Sequence, residues 1–410
     1  MNVNNLSSLG FSKTKIRIST LKDWLLILSI FVVSSHDCLV RLFPVLPYSA
    51  LSMLLFAMLL IFAVGFKNVS NQRAIVFLVF IYFVIVFSYL LTSDNQAEFI
   101  KTLFLQPQAA ARLWVFFIAF AMIEQPEKWH RRLLWLAYIS VFLLAVTALT
   151  GRYSAADRVL NYVGLGISAA MWVPIIIQNA FLSEGKTRTL HIFGTAISIV
   201  FVAVYGNRGS LVAILAYVIY CILKYTKVRR KFLIIFLLCI FGWIIYTYQT
   251  AIIAFIANQV SRFGIYSRNL TLYLNGNITY TTHRADEIWV RVFDAIKERP
   301  AFGYGLCYDR VLNDAINVYA HNLVLELFLS FGVPIGGLLL LLHLLIGGKT
   351  AFGYMEDDWE RLFSPFWVTA TVLLMFNNSL CQLGFFWIPY GVYFAYLKSR
   401  KLKHLKKIKD

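Results

Sequence analysis

Runs of about twenty apolar residues, broken by short polar connections, recur along almost the whole chain; LSMLLFAMLLIFAVG after Ala50 and AIVFLVFIYFVIVFSYLL after Arg73 are two of them. A helix rises 1.5 Å per residue, so about twenty such residues cross a hydrocarbon core of ~30 Å. The runs are continuous and do not alternate apolar with polar, which excludes a strand-built barrel. Hydrophobic residues make up 60% of the 410 and charged residues only 14%. A soluble domain is nearer half apolar and a quarter charged, so a water-soluble enzyme of any fold is excluded. The expected fold is an all-α integral membrane protein.

About twelve spans are expected, near 24–43, 48–66, 74–92, 103–123, 133–150, 160–182, 189–206, 209–225, 232–249, 322–346, 364–381 and 383–397. Of the 38 Lys and Arg, 25 fall on the side that carries both termini and 12 on the other, with Arg112 inside a span. The net charge of +18 is therefore first a topology signal, and the positive-inside rule puts both termini in the cytoplasm. Residues 1–23 form a cytoplasmic N-terminus, 24–249 the first nine spans, 250–321 a long outer loop, 322–397 the last three spans, and 398–410 a basic cytoplasmic tail. The tail, KSRKLKHLKKIKD, suits anionic lipid headgroups. No removable signal peptide is read at the N-terminus. The five cysteines are scattered, with no CxxC spacing, so neither a zinc site nor a disulfide framework is indicated. Nothing points to nucleic acid.

The outer loop is too long to be a plain connection, and its aromatics and glycines favour order. Within it, RADEIWVRVFDAIKER (284–299) sets Ala285, Ile288, Trp289, Val292, Phe293 and Ile296 on one helical face, and Pro300 ends the helix.

Charge at a membrane is costly and therefore informative. Arg208, in the tight turn YGNRGSLVAIL, is either an interfacial residue reaching headgroups or a bidentate phosphate ligand. Gly206 and Gly209 beside it suit a close backbone approach. Arg284, at the start of the loop helix, suits an anion but also a plain solvated charge. Arg291 reads as a surface residue. His321, in YAHNLVLELFLSFGVPIGG, is an interfacial or capping residue or a base for a sugar hydroxyl. Asn322 is a helix cap or a sugar-hydroxyl ligand. Glu326 needs a cation, with Arg208 the candidate partner, or is protonated and structural. Arg112 falls in the outer half of the fourth span and is a candidate for the same cavity. His343 and His36 have no evident partner and read as structural. The segment MEDDWE (355–360) reads as a solvated cytoplasmic loop. No acidic metal motif lies on the outer face, so neither metal nor cofactor is expected.

Three stretches carry a resemblance. HRADEIWVRVFDAIKERPAFGYGL resembles the R-x4-W…P-x-x-G-x-G segment of the O-antigen polymerase/O-antigen ligase superfamily, AHNLVLELFLSFGVPIGG its HN-x-x-LE block, and GNRGSLVAIL its arginine-bearing turn, although Asn207 stands where that family often has Ser. The resemblance implies a metal-independent, inverting glycosyl transfer on the periplasmic face of the bacterial inner membrane, from an undecaprenyl-pyrophosphate-linked glycan. By position, Arg208 and Arg284 would hold the pyrophosphate and His321 would be the catalytic base. Asn322, Glu326, Arg112 and Arg291 are candidates for supporting roles. A polymerase, with a lipid-linked repeat unit as acceptor and a chain-length regulator as a candidate partner, is favoured over a ligase to lipid A–core. The alternative class is a flippase for the same lipid-linked oligosaccharide, against which stands the clustering of polar residues on the outer side.

Overall fold

The computed structural model describes residues 20–35, 48–65, 71–91, 107–149, 158–262, 284–312, 319–350, 355–376, 378–380 and 382–409, with positions 38, 39, 42, 43, 45 and 353. All regular structure among the described residues is helical: α1 over 20–34, α2 Tyr48–Gly65, α3 Gln72–Leu91, α4 Pro107–Ala121, α5 Pro126–Leu149, α6 Arg158–Leu182, α7 Gly185–Tyr205 and α8 Arg208–Tyr225. There follow α9 Val228–Arg262, α10 Val290–Glu298, α11 Tyr308–Leu312, α12 Leu323–Lys349, α13 Asp357–Phe376 and α14 Ile388–Lys409. A π-helical turn, Arg284–Trp289, leads into α10, and a 3-10 turn, Gly384–Trp387, leads into α14.

Among the described residues, 5 helices are long and apolar enough to cross a membrane: Pro126–Thr147, Gly164–Leu182, Gly185–Tyr205, Arg208–Tyr225 and Leu323–Lys349. Shorter apolar helices span Leu54–Gly65, Gln72–Val86 and Thr250–Gln259. The protein is thus a helical membrane protein. The span expected near 232–249 belongs to a longer helix, since α9 continues through apolar residues to Arg262 after a non-helical Tyr248 (φ −105°, ψ 15°). The 250–321 segment therefore begins with a helix.

Helix α6 is the hub. It packs against α5, α7, α8 and α13, and the share of its apolar stretch that is buried, 78%, is the highest of the five. Trp172, Val173, Ile176 and Ala170 are buried with almost no exposure. In contrast, α7 turns Leu190, Phe193, Ile197 and Val200 outward, as a helix facing lipid does. The structure corrects the reading of MEDDWE and supplies partners for His343. MEDDWE is not a solvated loop: its last four residues open α13, and both Trp359 and Glu360 are buried. Glu360 accepts hydrogen bonds from the hydroxyls of Tyr220 (2.5 Å) and Tyr225 (2.9 Å) of α8, so its charge is met by donors. His343 bonds Tyr390 through Nδ1 and Thr371 through Nε2, both at 2.8 Å, and ties α12 to α13 and α14 as a structural residue.

Helix α12 is broken. Gly332 has φ 76° and ψ 166°, two residues before Pro334. Such a break frees backbone groups that a membrane cannot satisfy. The loop segment Pro300–Gly305 satisfies them. Tyr304 and Gly305 donate to the carbonyls of Leu329 and Ser330 (2.8 and 2.9 Å), and Val333 donates to the carbonyl of Pro300 (2.7 Å). The contact is backbone on backbone, and only glycine fits it. A Cβ on Gly332 would lie 2.3 Å from the Ala301 carbonyl oxygen, and one on Gly303 (φ 65°) 2.5 Å from that of Leu329. The Pro-x-x-Gly-x-Gly spacing of the sequence is the mate of this break. The break also divides surroundings: Leu323, Leu325, Leu327 and Leu329 are buried, whereas Val333, Ile335, Leu338, Leu341 and Leu342 face outward.

Candidate active site

The amphipathic helix expected over 284–299 is present as the π turn and α10. Ile288, Val292, Ala295 and Ile296 form its buried face against Tyr304, Ala320, Leu325 and Leu329. Burying an aliphatic side chain of this size is worth about 1.5–3 kcal/mol, which holds the loop helix on the first turns of α12. Phe293, expected on that face, is instead 50% exposed. At 3.6 residues per turn Phe293 lies about 100° around the helix from Val292, at the edge of the face that Ile288, Val292, Ala295 and Ile296 define.

His321 immediately precedes the cap of α12. It is buried and sits in the left-handed region (φ 53°), where few non-glycine residues are found. The Tyr319 ring lies 4.1 Å from its imidazole, centroid to centroid. Asn322 is the N-cap, its Oδ1 accepting from the N–H groups of Val324 (3.0 Å) and Leu325 (3.2 Å). Of its two readings, the structure shows the capping one.

Ala320, before His321, is held from two sides. Its N–H donates to Asp309 Oδ2 (3.0 Å), and its carbonyl accepts from Trp289 Nε1 (3.0 Å). Asp309 and Arg310 are both buried, within the loop. Burial pushes the Asp309 carboxyl above the usual carboxylate range, while the adjacent Arg310 and the Ala320 N–H pull it back. Tyr308, one residue earlier, stacks on Tyr304 at 4.1 Å, and the Arg299 guanidinium lies 4.6 Å from the Tyr304 ring centre. Sequence reasoning missed Asp309 and Arg310, which sit in no periodic pattern.

Glu326 corrects the expected pairing with Arg208. Its oxygens accept from Ser379 Oγ (2.6 Å) and the Leu380 N–H (2.9 Å), in the connection between α13 and α14. Asp309 and Arg310 are the charged groups that interact with it electrostatically. Glu326 is thus a strut between the first turn of α12 and the α13–α14 connection.

Arg208 opens α8 and is exposed. Asn207 caps the helix by accepting from the Ser210 N–H at 2.6 Å, a role that Ser would fill equally well. The close approach there is made by Gly166 of α6, where a Cβ would lie 2.7 Å from the Asn207 nitrogen. Gly164 and Ser168 of the same turn line a cavity with Ser34, Phe116, Asn378, Gln382 and Phe385. Asn378 adjoins Ser379, which holds Glu326. The starts of α6, α8 and α12 therefore meet at one end of the molecule, together with the end of α13. Arg208, His321, Asn322 and Glu326 belong to that end, and the π turn that begins with Arg284 is joined to it through Trp289 and Ala320. Arg291 is exposed on α10. The side chains of Arg284 and Arg112, and position 36, lie outside the described residues; Arg112 falls on α4. Among the described residues no group of three or more His, Cys, Asp or Glu could hold a metal ion.

Fold and site together define a membrane protein with apolar helices and a polar cluster at one end. Residues 193–342 match the family model described as O-antigen ligase, a stretch that runs from α7 into α12 and takes in Arg208, Arg284 and His321. The match covers less than half of the chain and supports the O-antigen ligase/polymerase superfamily, whose members act as glycosyltransferase-like enzymes of polysaccharide assembly. No curated protein and no solved structure matches the chain.

Proposed function

We propose that the chain is an O-antigen or capsule-type polysaccharide polymerase of the bacterial inner membrane. It transfers a growing glycan from undecaprenyl pyrophosphate to a lipid-linked repeat unit on the periplasmic face. The observation that carries this reading is that the O-antigen ligase match spans both arginines and the histidine, on elements that converge at one end of the helices.

In this reading the Arg208 and Arg284 guanidinium groups take the two phosphates. Guanidinium presents a planar fork to phosphate and stabilises the leaving diphosphate as charge develops on it. His321 takes the proton of the acceptor hydroxyl. As that oxygen bonds to the anomeric carbon, the bond from that carbon to the phosphate oxygen breaks on the opposite face, so the anomeric centre inverts and undecaprenyl pyrophosphate departs. Neither metal nor cofactor is needed for these steps. Both termini would be cytoplasmic, and the basic turns of α14, one of them held to Glu356 by Lys403 at 2.8 Å, would rest on anionic lipid headgroups. A chain-length regulator would be the protein partner.

The description of the matched family favours a second reading, a ligase that delivers the glycan to lipid A–core. The surface-polysaccharide gel profile of a strain deleted for this chain separates the two. A polymerase leaves a single repeat unit on the core, and a ligase leaves none. An unchanged profile rejects both readings.

A further inference from the structure

Ala320 is a small residue with no chemistry of its own, yet it is held on both of its sides. Asp309, eleven positions earlier, accepts from its N–H, and the Trp289 indole donates to its carbonyl, each at 3.0 Å. Both peptide groups of Ala320 are thereby fixed, and the second of them is the one that carries His321. The next residue, Asn322, is fixed by its own two capping bonds. His321 lies between these anchors with a φ of 53°, a conformation that an unrestrained histidine leaves. The anchors come from three separate places: the loop helix, the buried Asp309–Arg310 pair and the cap of α12.

We propose that Trp289 and Asp309 are positioning residues that hold the His321 peptide in its left-handed conformation and so aim the imidazole at the acceptor hydroxyl. This rests on the reading of His321 as the base. Neither residue is given a contact with substrate. Trp289 acts through a donor that phenylalanine lacks, and Asp309 through an acceptor oxygen that asparagine keeps. The Trp289 donor can therefore be removed with a ring still in its place, and the Asp309 acceptor can be kept while its charge is removed. Misplacement of a reacting group by ~1 Å can cost a factor on the order of 100 in rate, so loss of either anchor should be visible in turnover.

The test uses the full chain in vesicles, with the lipid-linked saccharide that accumulates in a strain deleted for this chain as donor and acceptor. Trp289→Phe and Asp309→Ala are expected to lower kcat by roughly 10- to 100-fold while KM for the lipid-linked saccharide stays within about threefold. Asp309→Asn is expected to keep kcat within about fivefold of the parent chain, since its carboxamide oxygen still accepts from Ala320. A merely structural role would not give that split or that rescue. Parental turnover in Trp289→Phe, or equal losses in Asp309→Asn and Asp309→Ala, would overturn the proposal. His321→Ala distinguishes this failure from that of the underlying reading. If His321→Ala is inactive while Trp289→Phe and Asp309→Ala are active, the clamp is wrong and the base stands. If His321→Ala is fully active, the base is wrong, and the clamp with it.

Discussion

Gly303 and Gly332 meet backbone to backbone, each with positive φ, each placed so that a Cβ would lie within 2.6 Å of main-chain atoms of the other's segment. This is the seam along which the Pro300–Gly305 segment is joined to the broken α12.

Replacement of Gly332 by alanine should open that seam. The methyl group meets backbone, which cannot swing aside, and left-handed φ adds about 1–2 kcal/mol for a residue with a Cβ. With an overpacking cost of about 1–3 kcal/mol, the loss should come to roughly 2–5 kcal/mol. Thermal unfolding in detergent should show a lowered midpoint, and protease should cut the 300–312 loop of the variant faster than that of the parent.

Glu360 gives a second measurement. Leucine there leaves the Tyr220 and Tyr225 hydroxyls without their acceptor in a buried site, at about 1–3 kcal/mol for each unsatisfied group. Glutamine keeps one acceptor oxygen and should cost less. The order of melting temperatures should be parent, Glu360→Gln, Glu360→Leu, and leucine matching the parent would refute the buried network.

The two histidines separate structure from chemistry. His343→Phe removes both bonds that link α12 to Tyr390 and Thr371, and should lower stability by roughly 1–3 kcal/mol while the polysaccharide ladder keeps its length. His321→Ala should do the reverse: the chain reaches the membrane at its normal level, and long glycans vanish. A wild-type ladder from His321→Ala would remove the histidine from the chemistry.

The parts of this molecule that were legible in the sequence are those governed by local rules. Apolar runs marked helices, the spacing of Ile288, Val292 and Ile296 marked the loop helix, and a cap was one of the two readings of Asn322, because a cap bonds only two and three residues ahead. What was not legible depends on long-range contacts. The holder of Glu326 is 53 residues away in sequence and is a serine, which no charge-matching argument would choose over an arginine. Asp309 carries no periodic signal, and the backbone N–H that it holds lies eleven positions on, at Ala320. MEDDWE reads as solvated by composition, and only the tyrosines of α8 explain a buried Glu360. Gly303 and Gly332 were visible as glycines, but that each exists for the other becomes plain only when the loop is seen lying in the break.

That break sets a length. From Val333 to Lys349 the outward-facing part of α12 rises about 25 Å at ~1.5 Å per residue, short of a hydrocarbon core of ~30 Å. The Pro300–Gly305 rivet thus decides how the rest is reached: the turns of α12 before the break, walled in by the loop segment, complete a crossing that the outward-facing turns alone do not span.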